Sequence, residues 1–185
     1  TPTAQCEVVL ADTALVYQGN PWPKREAALS TSLQLFRHVR VSAQLDHKGG
    51  FQHMNFPRFD RCSWEQLCEE TFVREKTTLR DQAGWIAYNI IEPNTNTSLY
   101  IEDGDFVKLR ELAVSFDAPQ SFVQRYGLGI SGIRLTVSGR NLKTWTDYRG
   151  FDPELNQFGL SNFSTQEYYT QPPVRYYTAR FDFNF

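Results

Sequence analysis

Five stretches of the sequence alternate apolar and polar residues with a period of two, and this alternation constrains the fold more than any other feature of the chain. These stretches cover residues 29–35, 39–46, 106–116, 133–140 and 176–185, and the alternation is cleanest in the last of them. In it the residues of one parity are Tyr177, Ala179, Phe181, Phe183 and Phe185, and those between them are mostly polar. A period of two is typical of a β-strand with one apolar and one polar face. The chain is therefore predicted to be all-β, with antiparallel strands.

The connections between these strands alternate between short and long. A tight turn at residues 37–38 joins the first two strands, and a short helix between Pro119 and Gly127 precedes the fourth. The other two connections run from about residue 55 to 105 and from about 147 to 173. Membrane β-barrels alternate short periplasmic turns with long extracellular loops in this way. Because β-sandwiches also contain alternating strands, a secreted soluble sandwich is the alternative fold.

The composition excludes several classes of protein. Aromatic residues make up 15% of the chain, and this excess favours strands over helices. The formal net charge of −2 provides no basic patch for nucleic acid. No run of about 18 apolar residues predicts a transmembrane helix. The first five residues show no initiator Met and no part of a signal peptide, so the sequence is expected to begin at a cut edge.

The three cysteines are Cys6, Cys62 and Cys68. The close spacing of Cys62 and Cys68 allows a local disulfide, which would leave Cys6 unpaired. Three unpaired thiols are the alternative. Residues 64–73 have helical spacing, which predicts a surface helix capped by Ser63.

No catalytic or metal-binding constellation is apparent in the sequence. The three histidines lack the spacing of metal ligands and are interpreted as surface residues. Glu69 and Glu70 are interpreted as neighbours on a polar face, and the cysteines lack the second cluster of ligands that zinc requires. No phosphate-binding loop, nucleophile elbow or catalytic triad is visible. The chain is therefore expected to be neither an enzyme nor a cofactor-binding protein.

Several motifs resemble the SusC/RagA-like TonB-dependent outer-membrane transporters, in the order and at the spacing of that family. Residues 104–112 resemble a late strand of the family, and residues 117–119 resemble the turn that follows it. Residues 133–142 end in Ser-Gly-Arg-Asn-Leu, similar to a strand end of the family that reads Ser-Gly-x-Asn-Leu. Two prolines, Pro172 and Pro173, precede the terminal strand. With weaker similarity upstream, the resemblance covers about residues 19–185.

A long-loop motif is also shared. The family pattern Tyr-x-Gly-Tyr-Asp-Pro-Glu is matched, with Phe in place of the second Tyr, by Tyr148, Arg149, Gly150, Phe151, Asp152, Pro153 and Glu154. The resemblance implies that this loop lies on the outer face of the membrane, where it is a candidate contact for a partner. A motif that only shapes the loop is the alternative.

The resemblance implies that residues 1–185 are the C-terminal part of a 22-stranded, plugged β-barrel in the bacterial outer membrane, with the plug and the earlier strands outside this sequence. Such a barrel imports nutrients such as oligosaccharides or peptides. The implied partners are a SusD-like surface lipoprotein, TonB through the absent N-terminal part, the barrel-assembly machinery and outer-membrane lipid. The terminal strand of the chain would carry the C-terminal assembly signal on its lipid-facing side, at Tyr177, Phe181, Phe183 and Phe185.

Other aromatic residues have two interpretations each. One group either stacks on sugar rings or packs the loop itself, and consists of Phe158, Phe163, Tyr168 and Tyr169. A second group either forms an aromatic girdle at the lipid headgroups or a ligand platform, and consists of Trp145, Tyr148, Tyr176 and Tyr177. Outer-membrane import is thus the first functional hypothesis. A secreted soluble β-sandwich that binds glycan through the same loops is the alternative.

Overall fold

The computed structural model describes residues 16–91, 97–125, 129–159 and 165–185. The strands in these ranges are β1 Arg25–Leu35, β2 Val39–Gly49, β3 Gln52–Asn55, β4 Ile101–Asp103, β5 Phe106–Asp117, β6 Gly132–Thr146, β7 Gln166–Glu167 and β8 Tyr176–Asn184. The α-helices are α1 Phe56–Phe59, α2 Glu69–Phe72, α3 Leu79–Ile86 and α4 Gln120–Arg125. Single helical turns of π or 3-10 type lie at Asp60–Trp64, Arg74–Lys76, Ala87–Ile91 and Ser98–Tyr100. None of these helices has the length and apolar content that a membrane crossing requires.

The chain divides into two compact units, and each is assembled from separate stretches of sequence. The sheet unit consists of Arg25–Gly49, Phe106–Thr146 and Pro173–Phe185. The loop unit consists of Gly50–Asp105, Asp147–Pro172 and, before the first strand, residues 16–24. The chain therefore alternates between the two units along its length.

The sheet unit is one five-stranded antiparallel sheet with the strand order β1-β2-β5-β6-β8. Its register aligns side chains of the same character across all five strands. One row consists of Leu33, Val41, Val114, Val137 and Ala179. The adjacent row, on the opposite face, consists of Ser32, Ser42, Ala113, Ser138 and Thr178. Because neighbouring residues of a strand point to opposite faces, the sheet has one apolar face and one largely polar face.

The five predicted strands are confirmed, and so are the two short connections between them. The turn between β1 and β2 spans Phe36 to His38, with Phe36 and Arg37 at φ +49° and +63°. Helix α4 follows Pro119, whose carbonyl accepts from the backbone N–H of Val123. The predicted helix end at Gly127 lies outside the described residues, as does Cys6.

The Ser-Gly-Arg-Asn-Leu motif marks an irregularity in β6. Asn141 adopts the left-handed φ of +52°, which an Asn tolerates better than most residues. A Cβ on Gly139 would lie 2.7 Å from Leu142 and 3.0 Å from the Tyr177 ring on β8. The motif therefore places a bulge in β6 and lets an aromatic ring of the last strand cross it closely.

The loop unit has a core of its own, which the sequence analysis did not anticipate for two long loops. A small sheet with the order β4-β3-β7 lies in it, with β3 and β7 parallel. The buried cluster of the unit consists of Phe59, Cys62, Cys68, Tyr88, Leu99 and Tyr100. Phe59 is central to it, because its ring lies 5.3 Å from those of both Tyr88 and Tyr100.

The surface helix predicted over residues 64–73 is wrong. Helix α2 begins only at Glu69, after Cys68 as its N-cap residue. Ser63 caps no helix, because its side chain is buried and its hydroxyl donates to the Tyr100 hydroxyl at 3.0 Å. Tertiary packing of Ser63 and Cys68 thus overrides the helical spacing of this stretch.

Candidate functional site

The apolar face of the sheet unit is exposed on β1, β5, β6 and β8 and half-buried on β2. Side chains on this face that are exposed to solvent include Leu29, Leu33, Leu112, Val114, Val137, Phe181 and Phe183. In a soluble β-sandwich the corresponding side chains would form the buried layer between two sheets. A water-soluble protein rarely exposes so large a continuous apolar surface.

The opposite face of the sheet unit carries paired charges. Arg134 on β6 contacts Asp117 on β5 at 2.5 Å, and Arg140 contacts Glu111 at 2.7 Å. A further ion pair joins Arg180 and Asp182 along β8 at 2.7 Å. These pairs are largely exposed, so each contributes little to stability, but together they mark this face as one that meets water.

The residues predicted as the assembly signal lie where the alternation placed them. Tyr177, Phe181, Phe183 and Phe185 expose 70, 61, 51 and 89% of their surface, respectively. Phe181 pairs with Leu135 of β6 and Phe183 pairs with Ile133, so both belong to the apolar face. Their role as a signal stays a prediction.

The loop motif from Tyr148 to Glu154 is built around a buried carboxylate, Glu167 on β7. The Tyr148 hydroxyl donates to Glu167 at 2.7 Å, and the backbone N–H of Phe151 donates to the same carboxylate at 3.1 Å. Burial raises the pKa of Glu167. Burial, together with this carboxylate, also raises the pKa of Tyr148, so its hydroxyl stays protonated and donates.

Each remaining motif position has a structural reason. Position 150 accepts only glycine, because a Cβ there would overlap the Glu167 carboxylate and the Tyr148 ring. The Asp152 carboxylate accepts from the backbone N–H of Glu154 at 2.9 Å, which closes the turn predicted for Asp-Pro. Pro153 is buried, whereas Phe151 is exposed. The interpretation of the motif as one that shapes the loop therefore fits its contacts, and Phe151 is its most accessible apolar side chain.

Tyr148 cannot belong to an aromatic girdle at the lipid headgroups, because it is buried in the loop unit. Trp145, Tyr176 and Tyr177 are exposed residues of β6 and β8, and for them the girdle stays a prediction.

A cluster of two arginines and three carboxylates joins the separate segments of the loop unit. Arg58 forms ion pairs with Glu70, with Asp81 at 3.4 Å and with Glu102 at 3.3 Å. The side chains of all four residues are almost entirely buried. Because a buried charge is costly unless it is paired, these contacts fix the positions of α1, α2, α3 and β4.

Arg149, from the loop motif, completes the same cluster. Its guanidinium binds the Asp81 carboxylate through two nitrogens, at 3.0 and 3.2 Å, and its backbone N–H donates to Glu102 at 2.9 Å. Burial opposes ionisation of Asp81, but hydrogen bonds from Arg149 and Thr78 and the guanidinium charges lower its pKa below the ordinary value. Asp81 is therefore a carboxylate at neutral pH.

This cluster forms one wall of a cavity of about 510 Å³ within the loop unit. The lining combines charged, thiol and aromatic groups, including Arg58, Arg61, Cys62, Cys68, Phe151 and Tyr169.

The aromatic residues of the second long loop pack within the loop unit. Tyr169 donates to the Asp60 carboxylate, and the ring centre of the neighbouring Tyr168 lies 4.6 Å from that of Phe56. Both tyrosines thus pack the loop, as one of their two interpretations predicts, and both stay partly accessible. Phe158 is only partly exposed, and Phe163 lies outside the described residues.

The local disulfide that the spacing of Cys62 and Cys68 allows is not formed, and both residues carry buried free thiols, as in the alternative interpretation. The Cys62 thiol faces the Glu70 carboxylate at 3.6 Å, and the Cys68 thiol lies 3.8 Å from the Thr71 hydroxyl. Glu70 is likewise not on a polar face, because it is buried against Arg58.

The interpretation of all three histidines as surface residues is wrong for His53. His53 on β3 is 1% exposed, and its ring lies edge-on to Tyr148 at 5.1 Å. Burial lowers the pKa of His53 to about 4. Alternation within Gln52–Asn55 places His53 and Asn55 on the buried side, a signal too short to identify in the sequence.

Two curated relatives match this chain, both TonB-dependent receptors of Formosa agariphila. The chain is 38% identical to receptor P3 over 94 residues, which are 48% of this chain and 9% of that protein. It is 33% identical to receptor P26 over 105 residues, which are 56% of this chain and 10% of that protein. The chain thus spans about a tenth of the length of these relatives. No family model matches the sequence.

Solved structures share the fold of this chain, and three of them are of RagAB. They are a RagAB peptide transporter, with a TM-score of 0.60 at 21% identity, and the RagAB peptide importer in its closed-closed and open-open states, with TM-scores of 0.58 and 0.56 at 18% identity. The matches cover 79, 79 and 86% of this chain and 16 or 17% of the solved chains. The predicted similarity of this chain to a segment of the SusC/RagA-like TonB-dependent transporters is confirmed.

Proposed function

We propose that this chain is a C-terminal wall segment of a SusC/RagA-like TonB-dependent transporter and that it works in import across the bacterial outer membrane. The observation that carries the proposal is the sheet unit, whose apolar face runs across five strands and is exposed on β1, β5, β6 and β8. Lipid is the solvent in which such a face is stable. The paired charges of the opposite face would then line the water-filled side of the wall.

The remainder of the architecture is part of the same proposal. Residues 1–185 would belong to a plugged barrel of 22 strands, with the plug and the TonB-contacting part contributed by sequence beyond this segment. The long segments that build the loop unit would be extracellular loops, and a SusD-like surface lipoprotein would be the partner on that side. The barrel-assembly machinery would bind the terminal strand through Tyr177, Phe181, Phe183 and Phe185.

Two substrate classes are consistent with the relatives. The solved structures of similar fold are of a peptide importer, and the resemblance extends to importers of oligosaccharides. We therefore propose import of a peptide or an oligosaccharide, with the cavity of the loop unit as a place where part of the substrate is retained. Its guanidinium groups and aromatic rings suit the carboxylates of a peptide and the faces of a sugar alike.

The test is fractionation of the cells that make the natural protein, probed with an antibody against this segment. We expect a product much longer than 185 residues, located in the outer membrane, whose electrophoretic migration changes on heating because a folded barrel resists detergent. A soluble product that folds without detergent would contradict the proposal and favour the secreted sandwich.

Import itself is tested by growth. A strain that lacks the gene should fail to grow on one class of peptide or glycan as its nutrient, and the intact gene should restore growth. Restoration by a version whose TonB-contacting segment has been deleted would show that uptake does not depend on TonB and would contradict the mechanism.

A further inference from the structure

One group of side chains in the described part of the chain has the composition of a transition-metal site. It consists of Cys62, Cys68 and Glu70, all buried, with their sulfur and oxygen atoms within 4.8 Å of one another. Two thiols and one carboxylate suit a borderline-soft divalent ion such as Zn²⁺.

The spacing of these atoms fits tetrahedral coordination. Zinc binds sulfur at about 2.3 Å and carboxylate oxygen at about 2.1 Å, so two such ligands of one tetrahedral ion lie about 3.6 Å apart. The Sγ of Cys62 and the Oε2 of Glu70 are 3.6 Å apart. The Sγ of Cys68 lies within 4.8 Å of both atoms, close enough to be the third ligand of the same ion.

The backbone holds these ligands in place. The carbonyl of Cys62 accepts from the Trp85 indole at 3.1 Å, which fixes the turn at Asp60–Trp64 against α3. Cys68 is the N-cap residue of α2, and Glu70 lies in the first turn of that helix. Two of the ligands therefore come from the start of one helical turn, and the third comes from a separate turn that the hydrogen bond to Trp85 holds.

Arg58 supplies the outer support that a carboxylate ligand requires. It binds Oε1 of Glu70 and leaves Oε2 directed at the thiols. Two thiolates and one divalent ion are together neutral, as the two protonated thiols are. A bound ion would thus add no net charge to this buried position.

We propose that Cys62, Cys68 and Glu70 bind one divalent transition-metal ion of the zinc type, with the fourth position open to the cavity. Binding replaces the two thiol protons, which pass to solvent, and forms two metal–sulfur bonds without any change of oxidation state. The ion would cross-link the turn at Asp60–Trp64 to α2. This proposal rests on the loop unit alone and does not depend on import.

The test uses the full-length protein, purified in detergent and freed of metal under reducing conditions, and titrates it with Co²⁺. Wild type should take up one Co²⁺ with the near-ultraviolet absorption of cobalt–thiolate bonds. Cys62→Ser and Cys68→Ser should lose this absorption, and Glu70→Gln should weaken binding by roughly tenfold or more. Glu69→Gln, an exposed neighbour on the same helix, is the matched control and should bind as wild type does.

A second measurement needs no variant that might fail to fold. Because both thiols are buried, alkylation is followed at a denaturant concentration that opens the loop unit slowly, and peptide mass spectrometry locates the alkylated residues. Bound Zn²⁺ should slow the alkylation of Cys62 and Cys68 there, and a chelator should restore the faster rate. Thiols that react equally with and without Zn²⁺, or a titration without cobalt–thiolate absorption, would overturn the proposal. So would a Cys62–Cys68 disulfide in protein isolated without reductant, because it would leave the thiols no metal-binding role in the native protein.

Discussion

Single residues of the loop motif show what a sequence can predict about a site. The Asp-Pro pair predicts its turn because the preferences of Asp152 and Pro153 are local. The partner of Tyr148 and Phe151 is Glu167, which lies 19 residues after Tyr148 and carries no local signal. The role of Gly150 follows only from that contact, because the space a Cβ would need is occupied by Glu167 and Tyr148.

Replacing Gly150 with Ala should destabilise the loop unit by about 1–3 kcal/mol, because the added methyl group forces Tyr148 and Glu167 apart. Hydrogen–deuterium exchange of the full-length protein would measure this as faster exchange around β7. Gly132→Ala is the control, because a Cβ at Gly132 meets only the Asn184 side chain, at 3.3 Å. Equal exchange in the two variants would contradict the packing argument.

His53 should make the loop unit sensitive to mild acid. Its pKa is about 4 when folded against an ordinary 6.5, so the unfolded chain binds the proton first. Stability is full above pH 6.5 and is lost as the pH falls towards 4, by up to about 3 kcal/mol. Amide exchange of β3 and β7 at several pH values would measure the loss.

The variant His53→Leu should abolish most of that pH dependence. Glu70 and Asp81, whose pKa values are lowered, withdraw their contribution only in stronger acid, below their ordinary values of 4.5 and 3.8. Glu167, whose pKa is raised, acts in the opposite direction, so the difference between wild type and His53→Leu isolates the histidine. An unchanged pH profile in the variant would show that His53 is not the acid-sensitive group.

At the scale of elements, the strands of the sheet unit were the most predictable part of the chain. Period-two alternation suffices for β2, β5 and β8, because a strand between two unlike environments repeats its pattern at every second residue. The irregularity of β6 does not follow from the alternation, because the bulge at Asn141 interrupts the period of two.

The two faces of β8 should differ in their tolerance of charge. Phe183→Asp should impair barrel assembly far more than Asn184→Ser, because a charge on a lipid-facing side chain costs up to about 4 kcal/mol near the midplane, and less for Asp than for Lys or Arg. Deletion of Phe185 should impair assembly as well. The heat-modifiable fraction in outer membranes measures assembly, and similar losses for the two substitutions would contradict a lipid-facing side.

The arginine cluster should be the main connection among the short helices of the loop unit. Arg58→Met leaves the buried Glu70 without its ion pair and should cost about 3–5 kcal/mol. Arg149→Met should cost less, because Arg149 is about half exposed and Arg58 still pairs with Asp81 and Glu102. Denaturant unfolding followed by Trp85 fluorescence would rank them, and the reverse order would contradict this assignment.

At the scale of the whole molecule, the sequence predicted strands and connections but missed the loop unit. Its elements are three or four residues long in most cases, too short to show periodicity. Its core and its ion pairs join residues far apart in the chain, such as Asp81 with Arg149. The resemblance to a transporter family is nevertheless visible in the sequence, because its motifs lie mainly in the sheet unit and in the loop that carries Arg149.

The two long segments of the loop unit should open as one. Amides of β3 and β7 should exchange with the same free energy of opening, because Gly50–Asp105 and Asp147–Pro172 share one sheet and one ion-pair cluster. In Arg58→Met both should exchange faster, while β5 and β6 keep their protection. Independent exchange of the two segments would show that they are separate loops.

The shared ion-pair cluster of the loop unit also restricts how such loops can diversify. A chimera could take residues 50–105 from a relative and keep residues 147–172 of this chain. Arg149 would then face carboxylates of the relative in place of Asp81 and Glu102. Recombination within this unit therefore succeeds only when both segments are inherited together. New specificities would then arise by exchange of matched pairs of loops, and mutations in one segment should be accompanied by compensating mutations in the other.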